Sequence, residues 1–400
     1  MKKTFLVNML VKSQALILGF AISIVLSRAF GSETLGMFVL YIAFYNLFLI
    51  PTKCGQDKYL LKELSAKPEN IEKNSEILVN ASAIVLLFST IVMSLVAVCI
   101  LLGFYQLPIN STEYSSVIFA LYLSLLGGGS TAILVSLLRA ENRLMMANLW
   151  ESLPLNLMLL IALLVSWLLF DIKEFSTGVV VCHGVISILI ACCIVANKKN
   201  MLSAIKLSKL SVPSEQIKVG GSFALIAGVS AINASIDTFS IGYFMTVSDV
   251  AFYNVAQKLS SLISFSLAIG VGMVSNRFAC LFRDNDRQAL KTVLRNVTKI
   301  VSLVGLLTFI VLMLFQRLML GIWGDEYISA SAALVILSIA QLINVFFGPI
   351  GVLLNMSGME KKVLFIAIFS MLVNVLLNIA LVPVMGMEGA ALATGSSIII

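Results

Sequence analysis

The stretch "SAINASIDTFS" places Ser230, Asn233, Asp237 and Ser240 at steps of three and four, one face of a helix, in surroundings that are otherwise almost wholly apolar. A second stretch, "NVAQKLSS", repeats the pattern with Asn254, Lys258 and Ser261. A carboxylate held among hydrocarbon groups takes up a proton, binds a cation such as sodium, or pairs with a fixed cation. An ammonium at similar depth draws in phosphate or pairs with an acid. Farther on, Gln341, Asn344 and Gly348 share a face, as do Ser370, Asn374 and Asn378. Amides so placed hydrogen-bond either the hydroxyls of a substrate or one another across helix contacts.

Each group also has a plainer reading. Asp237 and Lys258 lie on neighbouring apolar segments and could simply pair, and a lysine near a segment end can extend to the headgroups. Arg28 closes an apolar run, where an interfacial anchor is the simplest role and contact with an anionic substrate the other. His183, the only histidine, lies inside an apolar run and reads as a satisfied interior residue.

The elements that must position these groups follow from composition. Hydrophobic residues make up 60% and charged residues 12% of the 400, and mean hydropathy is +1.03. A water-soluble core with a polar shell does not tolerate that balance. Apolar runs fall at about 12–31, 36–55, 77–103, 116–138, 149–170, 177–197, 219–246, 253–280, 297–321, 328–354 and 362–384. Most exceed the roughly 18 residues that cross about 30 Å of hydrocarbon as a helix, and none alternates like a barrel strand. The fold class is all-α, a polytopic membrane protein of eleven spans and a twelfth. That last span starts near Glu388 and ends after 13 residues, so the natural protein is expected to continue or to have been trimmed there.

Lysine and arginine settle the orientation. Alternate connections, counted from the N-terminus, hold 23 of the 27, the opposite ones hold Arg28, Lys173 and Arg317, and Lys258 is left within a span. Positive flanks stay on the cytoplasmic side, so the N-terminus is cytoplasmic and the chain multi-pass. The net charge of +7 therefore reports topology rather than a nucleic-acid partner. The six cysteines lack disulfide-framework or metal-site spacing, and Lys12 interrupts what would otherwise read as a signal peptide.

The polar stretch 198–218 divides the spans six and six, predicting a bundle over 1–197, a cytoplasmic linker, and a second bundle over 219–400 whose twelfth helix is short. "SRAFGSETLGMF" (27–38) and "IGYFMTVSDVAFY" (241–253) would then be equivalent outer turns. Outer connections are short, "GFYQLPINSTEYSS" being among the longest. No D-x-D-like or HxxxH cluster, GxSxG or Walker sequence is expected, and no pore loop is visible. This is the profile of a transporter, not an enzyme. "GGGST" (127–131) would allow close helix approach or a bend.

Several stretches resemble the polysaccharide transporter family of the multidrug/oligosaccharidyl-lipid/polysaccharide exporter superfamily. "SRAFGSETLGMF" and "CGQDKYLLKELS" resemble its opening motifs, "ASIDTFSIGYFMTVSDVAFYNVAQKL" its middle motif, and "NVLLNIALVPVMGMEGAALATGSS" its ending. The resemblance implies a MATE-like fold and an O-antigen or capsule flippase of the lipopolysaccharide-assembly kind. Such a protein moves undecaprenyl-pyrophosphate-linked oligosaccharides from the inner to the outer leaflet of a bacterial inner membrane. It implies no cofactor, coupling to a proton or sodium ion, and company with other polysaccharide-assembly membrane proteins.

Lys258 matches a cationic position of the related peptidoglycan-precursor flippases, whereas their Arg-Asp pair is replaced here by Ile22 and Ser23. In the mechanism so implied, two bundles enclose a wet central cavity. Lys258 and Arg28 meet the pyrophosphate, Asn233, Asn254, Asn344, Asn374 and Asn378 meet sugar hydroxyls, and Asp237 carries the coupling ion or holds Lys258. A cation-coupled drug exporter of the same fold, and a membrane glycosyltransferase or polymerase, are the alternatives.

Overall fold

A computed structural model describes residues 2–66, 71–101, 114–141, 143–170, 176–197 and 214–400. Most of the expected linker (its residues 198–213), most of the outer connection 103–116, and Lys173 lie outside the described residues. Among the described residues the chain is helical without strands. The helices are α1 (Lys2–Lys53), α2 (Gln56–Ala66), α3 (Ile71–Leu101), α4 (Tyr114–Ala140), α5 (Leu144–Phe170), α6 (Ser176–Asn197) and α7 (Ser214–Phe244). They continue as α8 (Val247–Arg283), α9 (Arg287–Leu314), α10 (Gln316–Gly321), α11 (Ser331–Phe347), α12 (Ile350–Met356), α13 (Glu360–Met385) and α14 (Met387–Ile399).

Nine helices among the described residues are long and apolar enough to cross a membrane. The first of these, Ser13–Lys53, has 41 residues. That length rises about 60 Å, twice the hydrocarbon thickness. It is interrupted at Gly31, whose φ of 90° and ψ of 167° are non-helical, so the two spans expected at 12–31 and 36–55 are separated by one glycine break instead of a loop. The shorter apolar helix Gly178–Cys192 and the 13-residue α14 complete a set consistent with twelve spans. The chain is a multi-pass membrane protein.

Two boundaries depart from the hydropathy pattern. α9 begins at Arg287, ten residues before the apolar run, because a helix continues into the polar phase and Asp286 accepts from the Ala289 amide at its start. The run 328–354 stops helically at Phe347, where Gly348 (φ 72°) and Pro349 close α11 and α12 restarts.

Residues group into two compact units. One comprises Leu6–Phe30 and Tyr41–Ala231. In it α2, which falls in the connection between the expected spans 36–55 and 77–103, is a short amphipathic helix. Leu60 and Leu64 pack on Ile77, Leu78, Ala81 and Val85 of α3 and on Ile133 and Leu137 of α4, while Lys58 and Lys62 face out. The "GGGST" glycines serve close approach on three sides. A side chain at Gly127 would come within 2.5 Å of the Ser187 carbonyl carbon on α6, one at Gly129 within 2.6 Å of Val85 on α3, and one at Gly128 would strike the Tyr45 hydroxyl of α1.

The other unit comprises Met1–Phe5, Gly31–Leu40 and Ile232–Ile400. Its α8 opens with a capping box in which the Thr246 and Asp249 side chains accept from each other's backbone amides. Gly36 lies against the Val247 carbonyl, and Ser32 reaches Ser248 at 3.4 Å. The two stretches expected as equivalent turns therefore meet within this unit.

Candidate functional site

The unit containing Ile232–Ile400 gathers several of its buried polar side chains in one place. On α13, Phe365, Phe369, Leu372 and Leu376 are exposed while Ser370, Asn374 and Asn378 are buried, the reverse of a soluble helix and what lipid outside demands. Steps of four on α13 meet steps of four on α7. Asn374 Nδ2 donates to Asn233 Oδ1 at 2.9 Å, and Asn378 Nδ2 donates to Asp237 Oδ1 at 2.8 Å. Asn378 Nδ2 also donates to Asn374 Oδ1 at 2.9 Å, joining the two rungs. Both rungs advance in the same direction, as they must if these spans, seventh and eleventh in the chain, run parallel.

Two residues the sequence reading did not select complete the cluster. The Tyr253 hydroxyl of α8 donates to Asp237 Oδ2 at 2.9 Å, and the Thr394 hydroxyl of α14 donates to the same oxygen. Tyr253 sits inside the motif quoted around Lys258, and Thr394 inside the terminal motif, so both were visible as motif letters. What hid them is that a tyrosine and a threonine in an apolar run carry no charge to flag them. Depth explains why four helices converge. Asp237 lies seven residues before the end of α7, Asn378 seven before the end of α13, Tyr253 six after the start of α8, and Thr394 seven after the start of α14. Each is thus about 10 Å from helix ends that face the lysine-poor side.

Asp237 is 1% exposed and is met by three neutral donors. A carboxylate so placed costs about 3 kcal/mol in a membrane span unless it is neutralised or well bonded. Asn378 Oδ1 is buried with no hydrogen-bond partner among the described residues. One acid and several neutral oxygens, one of them unpartnered, form a donor set suited to a hard monovalent cation or a proton.

The remaining candidates lie elsewhere on their helices. Lys258 is eleven residues into α8, about 16 Å deep, and five residues beyond Tyr253, which turns it roughly 140° around the helix. That depth is too great for snorkelling to the near end of the helix. Asn254 lies one turn before Lys258 on the same face, and its Oδ1 is buried without a hydrogen-bond partner among the described residues. Asn344 is three residues from the far end of α11, and its Nδ2 donates to Oε1 of its neighbour Gln341 at 3.4 Å. Arg28 is exposed, three residues before the Gly31 break, and belongs to the other compact unit. In that unit His183 Nδ1 lies 3.0 Å from Ser124 Oγ and 3.2 Å from Tyr41 Oη, so it is a hydrogen-bonded interior residue as expected. Contrary to the expectation of no D-x-D-like cluster, Asp284-Asn285-Asp286 has that spacing; it forms the turn between α8 and α9, with Asp286 capping the latter.

The family model for "Polysaccharide biosynthesis protein" matches residues 1–276. The chain belongs to the polysaccharide biosynthesis protein family. A second model, MatE, matches residues 224–380, which hold all of the cluster except Thr394. This family member is 26% identical over 393 residues to the probable low-salt glycan biosynthesis flippase Agl15 of Haloferax volcanii, covering 93% of the present chain and 75% of the relative. Its fold matches that of the lipid II flippase MurJ in an inward closed conformation with a TM-score of 0.79 at 16% identity, over 99% of this chain and 85% of that one. An inward-facing multidrug resistance MATE family transporter of the MOP superfamily matches with a TM-score of 0.74 at 15% identity, over 96% and 91%. These likenesses establish for this polysaccharide biosynthesis protein a MATE-like all-α membrane fold.

Proposed function

We propose that this protein is a flippase for lipid-linked oligosaccharides, a transporter rather than an enzyme. The observation that carries the transport reading is the buried Asp237, about 10 Å inside the membrane and met by one amide and two hydroxyls from three other helices. Hydrophobic packing alone has no use for such a group. Family membership and the names of the relatives support glycan as the cargo.

The finer reading is an undecaprenyl-pyrophosphate-linked repeat unit of the O-antigen type, carried from the inner to the outer leaflet of a bacterial inner membrane by a chain whose N-terminus is cytoplasmic. Alternating access presents the polar headgroup to each leaflet in turn while the lipid tail stays in hydrocarbon. Lys258, with Asn254 beside it, supplies the positive charge that meets pyrophosphate. Asp237 carries the coupling ion, a proton or sodium. Its Oδ1 and Oδ2 with Asn378 Oδ1 and the Thr394 and Tyr253 hydroxyls would hold the cation, whose charge would offset that of the buried carboxylate. Other membrane proteins of polysaccharide assembly are the expected partners.

The deciding experiment measures lipid-linked repeat units in a deletion strain. Accumulation on the cytoplasmic leaflet, reversed by the restored protein, is the expected result, and a normal leaflet distribution refutes the reading. The MatE match over 224–380 favours a second reading, a cation-coupled drug exporter. That reading predicts drug hypersensitivity of the same strain with normal surface glycan.

A further inference from the structure

We propose that a cavity inside the unit comprising Tyr41–Ala231 binds one pyranose ring of the glycan, a subsite that rests on the flippase reading. The cavity holds about 150 Å³ and is walled by α1, α4, α5 and α6. An apolar cavity of about that volume accommodates a single six-membered ring. Its wall is mixed: Leu49, Ala132, Val135 and Leu155 are apolar, whereas Tyr45, Thr131 and Trp150 present a hydroxyl, a hydroxyl and an indole N–H. None of these three polar groups makes a hydrogen bond among the described residues. Three such groups around one hollow within membrane spans mark a place where a polar occupant supplies the missing partners.

The charged residues at the cavity exclude an ion as that occupant. Lys53 lies 3.9 Å from Asp57, and Glu151 lies 2.5 Å from Arg139, so each charge already has its counterion. What remains for a ligand is two aromatic rings, neutral hydrogen-bonding groups and an apolar wall, the combination that suits a neutral ring bearing hydroxyls.

Both aromatics are held in place. Tyr45 sets its ring edge-on to His183 at 5.2 Å, with its hydroxyl over Gly128, and Trp150 packs on Val135, Leu138 and Ala147. Preorganised rings lose little freedom on binding. The cavity lies near the ends of α1 and α4 and the start of α5, which the lysine and arginine pattern assigns to the cytoplasmic side. A sugar bound there is recognised before it is moved.

The test is saturation-transfer NMR on the full chain in lipid nanodiscs, with glucose, galactose and N-acetylglucosamine as probes. Transfer to the ring protons of at least one sugar is expected. Trp150→Ala and Thr131→Val should each weaken it about tenfold, while Trp150→Phe retains most of it and Gly228→Ala, where an added carbon meets nothing within 4 Å, leaves it unchanged. Unchanged melting temperatures confirm that the variants are folded. Absence of transfer from all three sugars, as for a cavity holding water only, or transfer that survives Trp150→Ala and Thr131→Val, overturns the subsite. Because the probes are free sugars, a failure here is separate from a failure of the leaflet assay, which tests flipping itself.

Discussion

Asn378 Nδ2 donates to Asp237 Oδ1 at 2.8 Å, tying α13 to the same depth on α7. Asn374 and Asn233 repeat the contact one turn away. Together they make a polar ladder between helices whose outward faces carry Leu225, Ile226, Leu372 and Leu376. With apolar chains of lipid as solvent, leucine gains little by being buried, so amides and small residues hold the helices together.

Asp237→Asn keeps the volume and most donors of the ladder while removing the charge. The folded protein should melt at an unchanged or slightly higher temperature, and flipping should lose its response to an imposed sodium or pH gradient. A gradient response equal to that of the parent protein would remove Asp237 from ion coupling.

Asn378→Ala takes one donor from Asp237 and the bridge to Asn374. Leaving a buried acceptor short costs about 1–3 kcal/mol, toward the low end in membranes. The melting temperature should fall, and by more than in Asn344→Ala, which loses a long 3.4 Å hydrogen bond to Gln341. Equal shifts in the two variants would contradict the ladder.

Lys258→Ala should lower surface glycan at unchanged protein level, because the charge that meets pyrophosphate is gone. Lys258→Arg keeps the charge and should retain much of the export. Quantifying surface polysaccharide against membrane protein level reads both, and full export by the alanine variant would refute the role.

Gly127→Val should be strongly destabilising, since even a Cβ there lies 2.5 Å from the backbone of Ser187. Overpacking of this kind costs about 1–3 kcal/mol or more. Gly228→Ala is the control. Nothing lies within 4 Å of its added carbon, and replacing a helical glycine gains up to about 1 kcal/mol. Thermal melting in one detergent compares them.

Thr246→Ala removes the N-cap of α8 and half of its capping box. The expected loss is about 1 kcal/mol, with hydrogen exchange quickening in the first turn of α8. Unaltered protection at Val247–Val250 would show that the cap is not needed.

Much of this was legible in the linear chain for a definite reason. A helix crossing a membrane satisfies its own backbone, so length, hydropathy and charge asymmetry fix the spans without knowledge of neighbours. The helix α13 (Glu360–Met385) against the expected run 362–384 shows how closely this holds. It fails where local backbone chemistry intervenes, as at Gly31, Gly348 and Asp286.

The candidate site was legible only in part. Asp237, Asn233, Asn374 and Asn378 announced themselves by polarity at helical spacing, and the sequence by itself set which face of each helix carried them. It could not say that Asp237 would meet Asn378, Tyr253 and Thr394, or that Asn344 would stay apart near the far end of α11. Periodicity fixes direction around one helix axis, whereas partnership depends on which helices adjoin and at what depth. Hydrocarbon imposes the first on every span alone; the second arises only when chain segments far apart in sequence pack together.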